Sequence, residues 1–194
     1  MLTALLTATN VPERESFDMK TANALDRLLS RMSAVQRYRI ARKYVYGRVA
    51  DAACGCGYGS WIISKCPAVT KVRGFDNDAA ALIQAEAEFG EFATFRHVSL
   101  CAPVARTALM AFHPDVVLSL ETIEHLTDGW AFVQAVKESG AQRFVVSFPS
   151  FPTTTFNPYH LHDWTVTEMN KAVGTEPHRA MLLDDAVWLL VYDL

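Results

Sequence analysis

Cysteine is scarce in this chain and wrongly spaced for a cross-link or a zinc module. The four are Cys54, Cys56, Cys66 and Cys101, with no Cys-x-x-Cys pair. Cys54 and Cys56 flank a single glycine, too close for a disulfide, so reduced thiols in a cytoplasmic protein are expected. No apolar run approaches the ~20 residues needed to cross a bilayer. The opening residues Met1 to Leu6 are apolar but lack the basic start of a secretory signal. A basic surplus is also missing: 18 Lys and Arg face 21 Asp and Glu, for a net charge of −3. Nucleic-acid binders draw much of their affinity from phosphate contacts, so a large nucleic-acid partner is disfavoured. The local run Arg27, Arg31, Arg37, Arg39, Arg42, Lys43 and Arg48 reads as a solvated helix face. Internal repeats and low-complexity tracts are absent as well.

What is present suits one globular domain. The 194 residues are 51% hydrophobic and 20% charged, enough to bury a core without staples. Residues 1–46 read as an N-terminal arm and helical lid. Apolar positions recur at three- and four-residue spacing over 18–46, with a break expected near Ser33. Residues 47–194 read as the main domain. Short apolar runs at 49–54, 72–76, 94–98, 114–120 and 143–148 alternate with helical patterns at 60–65, 78–89, 127–138 and 165–173. Two final strands, at 181–183 and 187–191, are expected to run antiparallel. The implied architecture is α/β: a Rossmann-like, doubly wound, mostly parallel sheet of about seven strands with helices on both faces. Ligands of such sheets sit beyond the carboxyl ends of the strands, so the residues following each strand are the ones to inspect.

The first strand delivers Asp51 and then Cys54-Gly55-Cys56-Gly57-Tyr58-Gly59. Glycines let backbone approach a ligand closely, and the next helix directs its free amides at the loop. Asp76 ends the second strand about twenty residues later, the usual place for a carboxylate that accepts from ribose hydroxyls. The dinucleotide fingerprint would need glycine where Ser60 stands.

Residues 49–60, Val-Ala-Asp-Ala-Ala-Cys-Gly-Cys-Gly-Tyr-Gly-Ser, closely resemble the first motif of class I S-adenosylmethionine-dependent methyltransferases. Gly74-Phe75-Asp76-Asn77-Asp78 resembles their second motif. Residues 114–126, which include Leu120-Glu121-Thr122-Ile123-Glu124-His125, resemble the fourth-strand motif of the small-molecule branch called methyltransferase type 11 or 12. Gln36-Arg37-Tyr38 and Asn157-Pro158-Tyr159-His160 are similar to that branch too.

The resemblance implies S-adenosylmethionine as cofactor and S-adenosylhomocysteine as product. Asp51 would lie near the cofactor's amino group, the Gly55–Gly59 loop under its methionine part, and Asp76 on its ribose. Asn77 would approach adenine, and Leu120 and Glu121 would line the pocket below the sulfonium. Arg37 and Tyr38 would close over the carboxylate. Cys54, Cys56, Gly57 and Leu100 complete the implied cofactor contacts. Two departures stand out: Cys56 replaces a residue that is often acidic, and Ser99-Leu100-Cys101 lacks the acid that commonly meets the adenine amine.

Methyl transfer depends on geometry and on a nucleophile freed of its proton. His125 is the favoured base, with Glu121 or Glu124 orienting it, and His160 is the other candidate. Glu124 and His125 have a bland alternative as helix caps or loop ties. The alternation His160-Leu161-His162-Asp163 offers imidazoles but no third ligand that sequence can place, so no metal is expected. A small hydroxylated acceptor is expected: a sugar, quinone or lipid precursor. Its pocket would be built from the N-terminal helices and the 149–164 loop. A homodimer is compatible with all of this and a membrane partner is not. Rival readings are a methyltransferase-like cofactor-binding partner that has lost turnover, a nucleic-acid methyltransferase, and a nucleotide-dependent oxidoreductase.

Overall fold

The computed structural model describes residues 24–100 and 103–194, and side chains from Met32 onward. The expected N-terminal arm, the start of the first helix and Cys101 lie outside the described residues. The first helix, α1 (Ala24–Ala41), runs through Ser33 without the expected break. A lone mid-helix serine costs only a few tenths of a kcal/mol against alanine, and its neighbour Ala34 is buried.

The sheet forms from seven strands: β1 (Gly47–Ala52), β2 (Val69–Asp76), β3 (Thr94–His97), β4 (Val116–Leu120), β5 (Arg143–Pro149), β6 (Arg179–Leu182) and β7 (Val187–Asp193). Their order is β3-β2-β1-β4-β5-β7-β6. The first five are parallel, and β7 inserts antiparallel between β5 and β6. All five residues of β4 are buried, as a parallel strand covered on both faces requires.

One face of the sheet packs on α1 and α2 (Tyr58–Ser64), through Tyr38, Ala41, Ile62 and Ile63. The other packs on α4 (Pro103–Phe112), α5 (Gly129–Glu138) and α6 (Val166–Val173), through residues such as Leu109, Phe132 and Met169. The remaining helix, α3 (Ala79–Phe89), sits beside α2. Helix starts follow local chemistry. Asp78 accepts from the amides of Ala80 and Ala81, Asp128 accepts from Ala131, and Thr165 forms a reciprocal capping box with Glu168.

Chain order reverses between β1 and β4. In such sheets the ligand crevice lies at the carboxyl edge beside that reversal, where β1, β2, β4 and β5 deliver their following loops.

Candidate functional site

After β1 the chain turns through a loop that only glycine fits. Gly57 adopts φ 85°, and a Cβ there would come within 2.8 Å of Ala85 and Phe95. Gly55, at φ 53°, differs: a Cβ there would meet nothing within 4 Å. Gly57 is therefore fixed by packing inside the protein, whereas Gly55 leaves open space above the backbone. Cys54 and Cys56 are buried. Burial, reinforced by the nearby Asp51 and Asp76, holds the Cys54 thiol far above its ordinary range, which rules it out as a thiolate nucleophile.

Asp76, at the end of β2, is 4% exposed. One oxygen accepts from the Gly55 amide at 2.8 Å and the other from the Asp78 amide at 2.9 Å. A carboxylate oxygen can accept more than one hydrogen bond, so a carboxylate in this place can shape the loop and serve a ligand as well. Asn77 is exposed beside it, its carbonyl 2.9 Å from His97 Nε2. Leu100 and Leu120 are buried.

Asp51 is fully buried, and its carboxylate is held by hydroxyls. Tyr38 donates at 3.1 Å to one oxygen and Ser60 at 2.6 Å to the other. Burial pushes its carboxyl from 3.8 up to about 6, only partly offset by those two bonds. The Tyr38 ring lies over Gly59, where a Cβ would fall 2.0 Å from the ring; α1 thus closes directly onto the glycine loop. Arg37, one residue earlier, turns away and pairs with Asp185 in the β6–β7 turn at 2.5 Å.

Across the crevice, Glu121 follows β4 in the left-handed region at φ 48°, a conformation that costs a non-glycine residue energy and gathers at functional sites. Ser147 of β5 holds it from both ends. Its hydroxyl lies 3.0 Å from the Glu121 amide and 2.8 Å from Oε1. The next turn, Ile123–His125, is stitched to the loop after β5. The Glu124 carbonyl accepts from Leu161, the Ile123 carbonyl from the Trp164 indole, and His125 Nδ1 meets the Tyr159 carbonyl at 3.0 Å. His125 and His160 thereby stand edge to face, ring centres 4.6 Å apart. Glu124, 1% exposed, lies beneath them with Oε1 4.0 Å from His125 Nε2. Of the bland alternatives for Glu124 and His125, helix capping falls to Asp128, which caps α5, whereas both residues do tie down the loop after β5.

No family model matches the chain, and no curated protein matches it in sequence. Its backbone does match solved structures. A protein of Pyrococcus horikoshii OT3 aligns at TM-score 0.66 and 15% identity over 92% of this chain and 96% of that one. A SAM-dependent methyltransferase from Aquifex aeolicus aligns at 0.62 and 11%, over 84% and 96%. The small RNA methyltransferase HEN1 aligns at 0.64 and 17%, over 82% of this chain and 25% of that one. The fold is that of the class I methyltransferases.

Within this fold, Gly55 and Gly57 after β1, Asp76 at the end of β2, Leu100 after β3 and Leu120 at the end of β4 all lie at the carboxyl edge of the sheet. The structure sets Asp51 and Tyr38 behind the glycine loop and Arg37 at the β6–β7 turn. His162 stands apart from the His125–His160 pair, beside Glu168 at 3.2 Å. Motif reading misses the positioning hydroxyls of Ser60, Ser147 and Thr153. Thr153 Oγ1 lies 2.5 Å from His160 Nδ1. Asp163, which holds both Thr153 and Thr154, has its carboxyl lowered to about 2, the Thr154 hydroxyl contributing most. Only the last of these had a local signal, an acid near two threonines in a loop. Among the described residues, no helix is long and apolar enough to cross a membrane.

Proposed function

We propose that this protein binds S-adenosylmethionine at the crevice and methylates a small hydroxylated acceptor. The observation that carries the reading is the pairing of an open glycine cradle at Gly55 with two buried acids, Asp51 and Asp76, of different surroundings. Asp76 presents its carboxylate at the end of β2, the position suited to ribose hydroxyls. Asp51 is a buried acid whose hydrogen-bond partners are neutral hydroxyls, so a cation nearby is favourable. When bound, the cofactor supplies an ammonium and a methyl carbon on a positively charged sulfur. A dinucleotide lacks both cations at this place, which separates this reading from an oxidoreductase.

The acceptor side rests on the loop after β5. Phe151 and Phe156 stack at 6.2 Å, and with Tyr159 and Leu161 they are exposed beside the histidine pair. These residues offer an apolar wall to the acceptor, while the Glu124–His125–His160 cluster deals with its proton. HEN1 acts on small RNA, and Arg39, Arg42 and Lys43 of this chain are exposed, so RNA belongs in any acceptor screen. The net charge of −3 favours the small molecule.

The test is a labelled-methyl screen of the purified protein against metabolite, lipid and RNA fractions. Label appearing in a small hydroxylated product supports the reading. Label confined to RNA overturns the acceptor class. Tight cofactor binding without transfer to any pool favours a cofactor-binding partner.

The pH dependence follows from Asp51. Its folded carboxyl titrates near 6 rather than 3.8, so the folded state holds more protons than the unfolded chain between those values. Asp51 therefore makes stability fall as pH rises through that window, by about 3 kcal/mol in all. A bound ammonium reverses the preference, so cofactor affinity should rise up to tenfold per unit as pH approaches about 6, then level off. Calorimetric titration of wild type and Asp51→Asn across that range checks it. An affinity flat with pH in wild type removes Asp51 from the cofactor site.

A further inference from the structure

The side chains of Glu124, His125 and His160 converge although the sequence predicts no metal. Each offers one ligand atom, and the three atoms lie within 4.8 Å of one another. We propose that they form a binding site for one divalent transition-metal cation at the acceptor end of the crevice. The inference rests on the reading of this edge as a methyl-transfer site and deepens it.

The ligand chemistry is specific. One carboxylate with two imidazoles suits zinc, manganese, iron or cobalt, whereas calcium and magnesium prefer all-oxygen shells. The ring nitrogens are already sorted. A carbonyl only accepts, so His125 Nδ1 carries the proton that it donates to Tyr159, and Nε2 keeps its lone pair on the Glu124 side. His160 Nδ1 lies 2.5 Å from the Thr153 hydroxyl, which is itself within reach of Asp163; the tautomer that donates from Nδ1 to that hydroxyl presents Nε2 as its ligand atom. Imidazoles oriented through their other nitrogen are the rule at metal centres.

Glu124 is 1% exposed, and coordination of a cation is one way in which a buried carboxylate is stabilised. Fixing the loop does not require it, because backbone atoms of Ile123 and Glu124 already accept from Trp164 and Leu161. Ligand distances of about 2.0–2.2 Å place donor atoms roughly 3–3.5 Å apart, so closure onto an ion needs side-chain shifts of about 1 Å. His125 keeps 32% of its side chain exposed, so the cluster opens to the crevice. Three protein ligands leave a coordination position open, as in catalytic rather than structural sites. An acceptor hydroxyl at that position is held in place and made more acidic, its proton leaving to solvent.

The probe is Co²⁺, followed by its visible absorption, with Zn²⁺ counted by equilibrium dialysis and elemental mass spectrometry on the full chain. Wild type should bind one ion per chain. Glu124→Gln and His160→Ala should each weaken binding by at least about tenfold. His162→Ala, on the same loop but outside the cluster, should leave it unchanged. His160 sits on a surface loop, so that variant remains informative if Glu124→Gln folds poorly. No stoichiometric ion at about 1 mM Co²⁺, or equal affinity in wild type and His160→Ala, overturns the site. Binding of S-adenosylhomocysteine is measured in the same samples. Its loss from protein that still holds metal overturns the cofactor reading instead.

Discussion

Asp76→Ala should weaken S-adenosylmethionine binding by roughly 1–3 kcal/mol, up to about 150-fold, the usual cost of lost charge-assisted hydrogen bonds. The side chain has two jobs, and the variant removes both. Its oxygens anchor the amides of Gly55 and Asp78 at 2.8 and 2.9 Å, so the glycine cradle loosens. In the proposed site the same carboxylate also accepts from the ribose hydroxyls. Asp76→Asn separates the two, since an amide keeps one acceptor for the loop but faces the other backbone amide with a donor. Affinity should then lie between wild type and alanine, as read by calorimetric titration. Equal affinity in wild type and Asp76→Ala removes Asp76 from the cofactor site.

The largest effect on turnover is expected at the histidine pair. His125→Ala and His160→Ala should each lower the rate by about 10²–10⁴ once an acceptor is known, with cofactor affinity nearly intact. The pattern across variants reports how the cluster works. If one histidine is a general base, that variant dominates and Glu124→Gln is mild. If the three residues hold a cation, Glu124→Gln falls with the histidines, and added metal partly restores the weaker-binding variants. Near-normal turnover in both alanine variants means that transfer relies on positioning alone.

The proposed cofactor half of the site is legible in the sequence because its motifs are local. The glycines, Asp76 and Leu120 lie at or just beyond the end of a strand, and glycine spacing, Asp76 and the apolar run before Glu121 all fall within short windows. The acceptor half was only half legible. Glu124 and His125 are adjacent in sequence, but their meeting with His160 depends on the loop after β5 folding back, through Trp164 and the Tyr159 carbonyl. No local pattern encodes that. Two elements were misread for physical reasons. The unbroken α1 shows packing of Ala34 and Tyr38 overriding a weak serine signal. Helix α4 went unread although Pro103 opens it and Ala105, Ala108, Leu109 and Phe112 recur at helical spacing. The hydrogen bond from the Tyr38 hydroxyl to Asp51, between α1 and β1, likewise has no local pattern in the sequence.

The central claim is that the crevice between β1 and β4 holds S-adenosylmethionine, and titrating S-adenosylhomocysteine into the purified chain tests it most directly. The account predicts one saturable site per chain, a raised melting temperature by mass action, and no displacement by NADH. No heat and no thermal shift at about 1 mM ligand, or displacement by NADH, would contradict it.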